Sequence, residues 1–116
     1  MSDLRYEEVG FVPHEALRRE VESGDPERIS KALCSASRYE DDWRWVQDQC
    51  ISFLKSEHAS VRWTAATCLG DLAMYRRPID AMKVHEALLD AVNDPVVASP
   101  AQFSIELVKQ FALRIS

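Results

Sequence analysis

Residues able to do acid–base, nucleophilic or metal chemistry are few in this chain, and their spacing does not make them converge. His14, His58 and His85 lie far apart, and none has a His or Cys four residues away to share a helical face and a metal ion. Cys34, Cys50 and Cys68 are an odd number spread through helical sequence. They read as reduced, buried thiols acting as small hydrophobes. With only Gly10, Gly24 and Gly70 present, there is no glycine-rich phosphate loop. Asp41 and Asp42 are paired acids, but neighbours on a helix point about 100° apart. They suit the N-terminal end of a helix dipole better than a shared proton. No catalytic residue, metal site or cofactor is expected, and neither is an enzyme.

What the side chains do suggest is protein binding. Trp45 has Asp41, Asp48 and Gln49 at i−4, i+3 and i+4, an aromatic ringed by acids of the kind that anchors a basic partner. The competing reading packs Trp45 on a neighbouring hairpin. Trp63, Thr67 and Asp71 follow one edge of a helix built otherwise of small and apolar residues. Tyr39 and Glu40 precede the acidic pair, and the loop at 75–78 should lie on the same edge of the molecule. The candidate partner-binding residues are therefore Tyr39, Glu40, Asp41, Asp42, Trp45, Asp48, Trp63, Thr67 and Asp71. A net charge of −5 argues against nucleic acid, which needs a basic footprint, and favours a basic protein partner.

The elements that must position these residues are helices. The 116 residues suffice for one domain with its own core. No run approaches the ~18 apolar residues of a membrane span. The N-terminus lacks a basic-then-apolar signal, so a cytoplasmic location is expected. Residues 1–10 form a lead-in. Pro13 opens a helix that Gly24 stops. Asp25-Pro26 restarts it, with Ile29, Ala32, Leu33 and Ala36 inward and a break at 37–40. A third helix begins near Asp41 or Asp42, with Trp43, Val46, Cys50, Phe53 and Leu54 on its buried side. Residues 61–73 are apolar on two nearly opposite faces, so other helices should flank them. Ser60 is the expected cap, and Ala66 and Gly70 should pack on neighbouring helices.

After the break at Arg76-Arg77-Pro78, Asp80 caps a fifth helix carrying Ala81, Val84, Leu88, Ala91 and Val92. Phe103, Leu107 and Phe111, with Val108 and Ile115, mark the inward face of a sixth. Pro100 should kink that helix or, with Ser99 as cap, mark its start; we favour the kink. No strand is expected. The restarts at Asp25, Ser60 and Asp94 are 35 and 34 residues apart, the mark of a helical repeat. The expected fold is an all-α solenoid of about six helices in three antiparallel hairpins, roughly 12–38, 41–75 and 79–113.

The stretch Val61-Arg62-Trp63-Thr64-Ala65-Ala66-Thr67-Cys68-Leu69-Gly70 resembles the second helix of a HEAT-type repeat, Val-Arg-x-x-Ala-Ala-x-x-Leu-Gly. Residues 87–95 resemble the next first helix and its Asp-Pro turn. The first repeat is degenerate and the third departs at Pro100. Together with residues 42–50, the stretch resembles the small HEAT-like immunity proteins of contact-dependent growth inhibition and related toxin systems. The resemblance implies a cytosolic protein, monomeric in a 1:1 complex, that binds and neutralises a cognate toxin domain, often a nuclease. The alternative it leaves is a HEAT-repeat scaffold or lyase-like accessory module. A DNA-binding HEAT protein is disfavoured, because no Lys/Arg stripe is present to neutralise phosphates.

Overall fold

The computed structural model describes residues 14–75 and 78–113. Pro13, Arg76, Arg77, Ile115 and the 1–10 lead-in lie outside them. Six α-helices follow one another: α1 (His14–Val21), α2 (Pro26–Tyr39), α3 (Trp43–Phe53), α4 (Ala59–Met74), α5 (Ala81–Ala91) and α6 (Ala98–Val108). A π-helical turn, Lys109–Leu113, continues α6. The fold is an all-α, HEAT-like solenoid. Each odd-numbered helix packs on the even-numbered helix after it, and the even helices lie side by side with α4 in the middle.

The boundaries follow local chemistry. Gly24 takes φ +79°, the left-handed conformation that ends α1 cheaply only in glycine. Asp25 accepts from Glu27 N at 3.1 Å, and Pro26 begins α2. Asp42 caps α3 by accepting from Trp45 N at 3.2 Å, and Asp80 caps α5. The break expected at 37–40 comes later, because α2 runs through Tyr39 with Glu40 as its C-cap. The expected Ser60 cap is not formed. His58 stands at that position without a side-chain cap bond, and Ser60 falls in the first turn. Ser56 Oγ instead accepts from His58 N at 3.1 Å, tightening the preceding loop.

Pro100 does not kink α6. It is the third residue of the helix, where backbone N–H groups have no intrahelical partner, so its missing donor costs no bond. Ser99 is not the cap either; Val97 is, and Asp94 orders the turn before it by accepting from Val96 N at 3.0 Å.

Burial explains the two apolar faces of α4. Val61, Ala65, Ala66, Cys68, Leu69, Gly70, Leu72 and Ala73 are all buried, leaving only a narrow strip in solvent. Polar links one repeat apart join the α3–α4 hairpin to the next. Gln47, itself buried, accepts from Asp80 N at 2.7 Å, while Lys83 pairs with Asp48 at 3.1 Å and Lys55 with Asp90 at 3.1 Å. The half-buried Arg62 reaches Asp94 at 2.8 Å and donates to the Ser56 carbonyl at 2.9 Å. The Arg of the repeat motif thus locks one turn onto the next.

Two inward faces differ from the sequence reading. On α3 the buried set is Val46, Gln47 and Cys50, while Trp43 is only half-buried. As the first residue of the helix, Trp43 points back beyond its N-terminus, and the Arg44 guanidinium lies 4.6 Å from its ring centre. On α6 the buried residues are Pro100, Ala101, Ser104, Ile105 and Val108, whereas Phe103 is 67% exposed and Leu107 is half-buried. The cause is the close crossing of α4. A Cβ on Gly70 would stand 2.9 Å from Ser104 Cα, an approach that only small residues permit. Phe103 is turned outward as a result, while Phe111, as expected, packs against the core.

Candidate partner-binding face

The nine candidate residues fall into three groups. In the first, acids serve the backbone or neighbouring cations. Glu40 is buried at 8% exposure and accepts from Asp42 N at 3.0 Å. Asp42 caps α3, and Asp48 holds Lys83. Asp41 is exposed in the loop, its carbonyl accepting from Trp43 N at 2.8 Å. Trp45 is half-buried and packs against the core. The aromatic-and-acid ring around it is therefore built largely of residues with structural partners.

The second group lies at the C-terminal ends of α2 and α4. Tyr39 and Tyr75, 48% and 41% exposed, line a shared groove with Arg38. Arg38 lies beside Tyr75 and near Asp71, and both raise its pKa further above the usual arginine value. Asp71 is half-buried, and desolvation pushes its carboxyl above the ordinary range while Arg38 partly offsets the rise.

A folded pKa above the unfolded one means that folding disfavours the charged form. Stability from this group is complete below the unfolded pKa and falls as pH rises through the folded one. Asp71→Asn should therefore raise the melting temperature at neutral pH. The two proteins should melt together near about pH 3, below the ordinary Asp value. A lower melting temperature for the variant at pH 7 would contradict this account.

The third group is the open strip of α4. Positions 63, 67, 71 and 74 lie within about 80° of one another on the helix. Trp63 is 49% exposed, Thr67 and Asp71 are half-buried, and Met74 is exposed. One side of the strip is closed by α6, where buried Ser104 donates to the Ala66 carbonyl at 2.7 Å. The other side is closed by α2, whose Cys34 thiol lies near Cys68 of α4, itself near Cys50 of α3.

Cys34 is exposed, contrary to the expectation that all three thiols are buried, because it sits where α2 faces this opening. The neighbouring Cys68 thiol and partial burial raise its pKa, so it stays a thiol at neutral pH. For Cys68, the neighbouring Cys34 lowers the pKa, but Cys50 and burial raise it by more.

Sequence reasoning missed Phe103. It lies about 100° round α6 from Ser104, on the side away from buried Ile105, and so flanks the α4 strip. The spacing of Ala101 and Ser104 opposite Ala66 and Gly70 was the available signal, since small residues on both helices mark the contact. Among the described residues, no group of three or more His, Cys, Asp or Glu side chains could hold a metal ion. Among them, too, no helix is long and apolar enough to cross a membrane.

No protein-family profile matches the chain, and neither does any curated protein. Among solved structures it is similar to a chain in the crystal structure of the CDI complex from Cupriavidus taiwanensis LMG 19424. The two share 33% identity and superpose with a TM-score of 0.78, over 87% of this chain and 91% of that one. This chain belongs to the HEAT-like immunity proteins of contact-dependent growth inhibition (CDI) systems. The exposed aromatics on its even helices are thus places to look for a contact.

Proposed function

We propose that this protein is the immunity protein of a CDI system, protecting the cytoplasm by binding its cognate toxin domain one to one. Kinship with a component of a CDI complex, at 33% identity over most of both chains, carries the reading. Charge refines it. A chain of net −5 suits a basic partner, and nucleases present basic surfaces to the phosphates of their substrates. The toxin is then a nuclease whose substrate groove the immunity protein covers. Long-range attraction speeds encounter and suppresses wrong partners, while buried aromatics supply most of the affinity. Tyr39, Asp41, Trp63, Thr67 and Asp71 are the sequence-derived contacts with exposed or half-exposed side chains beside the open strip and its edge.

The test is direct. Mixed with the toxin domain encoded beside it, the protein should form a 1:1 complex by light scattering. It should abolish nuclease activity at one equivalent, and association should slow as salt rises. Full toxin activity in the presence of excess protein would overturn the proposal.

A further inference from the structure

Eight large hydrophobic side chains stand exposed among the described residues, and their distribution is uneven. Tyr39, Trp63, Met74, Tyr75 and Phe103 belong to the even helices and their ends; Met82, Leu89 and Val96 belong to α5 and the turn after it. We propose that the toxin seats on the even-helix face, with Trp63 and Phe103 as its central anchors and the Tyr39–Tyr75 groove at one end. This rests on the immunity reading above and narrows it to one surface. The acidic loop around Asp41 and Asp42 serves as a charged rim.

Three observations favour that occupant. The first is the width of the face. Three helices at the usual 8–10 Å spacing make a surface about 25–30 Å across. The run from Trp63 to Tyr75 adds about 18 Å along the axis at 1.5 Å per residue. That core of about 450–540 Å² in projection covers more than half of one side of a standard protein–protein interface, roughly 800 Å², and the Tyr39–Tyr75 groove and the acidic loop extend it at one end.

The second is charge. Along the even helices charged groups come with opposite partners: Glu27 with Lys31 on α2, Arg38 of α2 beside Asp71 of α4, and Glu106 with Lys109 at the end of α6. The centre of the face is aromatic and locally balanced, so burying it strands little uncompensated charge. Over the whole chain, net −5 attracts a basic protein and repels a second copy of this one.

The third is geometric. Gly70 and Ser104 bring α4 and α6 into close contact, and Trp63 and Phe103 stand exposed on the two helices that meet there. Both aromatics are carried on regular helices held together by that close packing, the kind of fixed backbone a preorganised binding surface requires.

Isothermal titration with the purified toxin domain tests the seat. Trp63→Ala/Phe103→Ala should weaken binding on the order of 100-fold or more, as loss of two hot-spot aromatics does. Met82→Ala/Leu89→Ala on α5 should change it by less than about 3-fold. Thermal melts establish that both variants fold; these side chains are about half exposed or more. Toxin binding by the wild type that survives the Trp63/Phe103 change, or that is lost with the Met82/Leu89 change, overturns the seat but not the immunity reading. Absence of wild-type binding overturns both.

Discussion

Gly70→Ala should lower the stability of the folded protein by about 1–3 kcal/mol, the usual cost of forcing an extra carbon into a packed contact. On helix propensity alone the change should help, because alanine in a helix interior is better than glycine by roughly 1 kcal/mol. Packing reverses the sign. The new Cβ would stand 2.8 Å from Ser104 Cβ and 2.9 Å from Ser104 Cα. The second of these is backbone, which no rotamer change can move. Separating the helices would also stretch the buried bond from Ser104 to the Ala66 carbonyl. For a chain of this length the loss corresponds to a fall of roughly 4–12 °C in Tm. Ser104→Gly should not rescue it, since the Cα remains. Denaturant unfolding of the single and double variants measures this, and an alanine variant more stable than the wild type would refute the close crossing.

Leu69→Ala should cost more, about 2–5 kcal/mol, by lost transfer energy and an unfilled cavity. Leu69 is fully buried on the one helix that packs against both flanking even helices, so the surroundings have little freedom to collapse into the space. A fall of roughly 8–20 °C in Tm is the expected result. Leu69→Met, which conserves volume, should cost less than about 1.5 kcal/mol. At a temperature where the alanine variant is still folded, its affinity for the toxin should match the wild type. Leu69 does not lie on the open strip, so a large loss of affinity in folded protein would show that spine and binding surface are not separable.

Much of this architecture could be read from the residues. The Val61–Gly70 motif and the Asp25-Pro26 restart gave the repeat, and the capping aspartates at 25, 42 and 80 bounded three helices. Each is a local signal with a local physical cause. What could not be read depended on which neighbour came closest. Phe103, Leu107 and Phe111 have the spacing of an inward face, and their size dominates any hydrophobic pattern. The fully buried face is nonetheless the quieter set around Ala101 and Ser104, opposite the glycine; Phe111 still packs against the core and only Phe103 is turned outward. Trp43 and Trp45 depended in the same way on where the end of α3 projects. The acids near Trp45 looked like a binding ring because sequence reveals charge but hides engagements such as Glu40 with Asp42 N or Lys83 with Asp48.

The neighbour-only packing of the helices also bears on how the chain is made. Among the described residues every substantial contact joins elements within one repeat or between adjacent repeats, so their packing requires no loop closed from the first repeat to the third. Short-range topologies of this kind fold quickly, and emergence from the ribosome is N-terminal first. Helix α4 can dock on α2 and α3 as soon as residue 74 is free. Its Ala66–Gly70 side stays uncovered until α6 emerges some thirty residues later. The last seam to close during synthesis is therefore the one that turns Phe103 outward and completes the face beside Trp63.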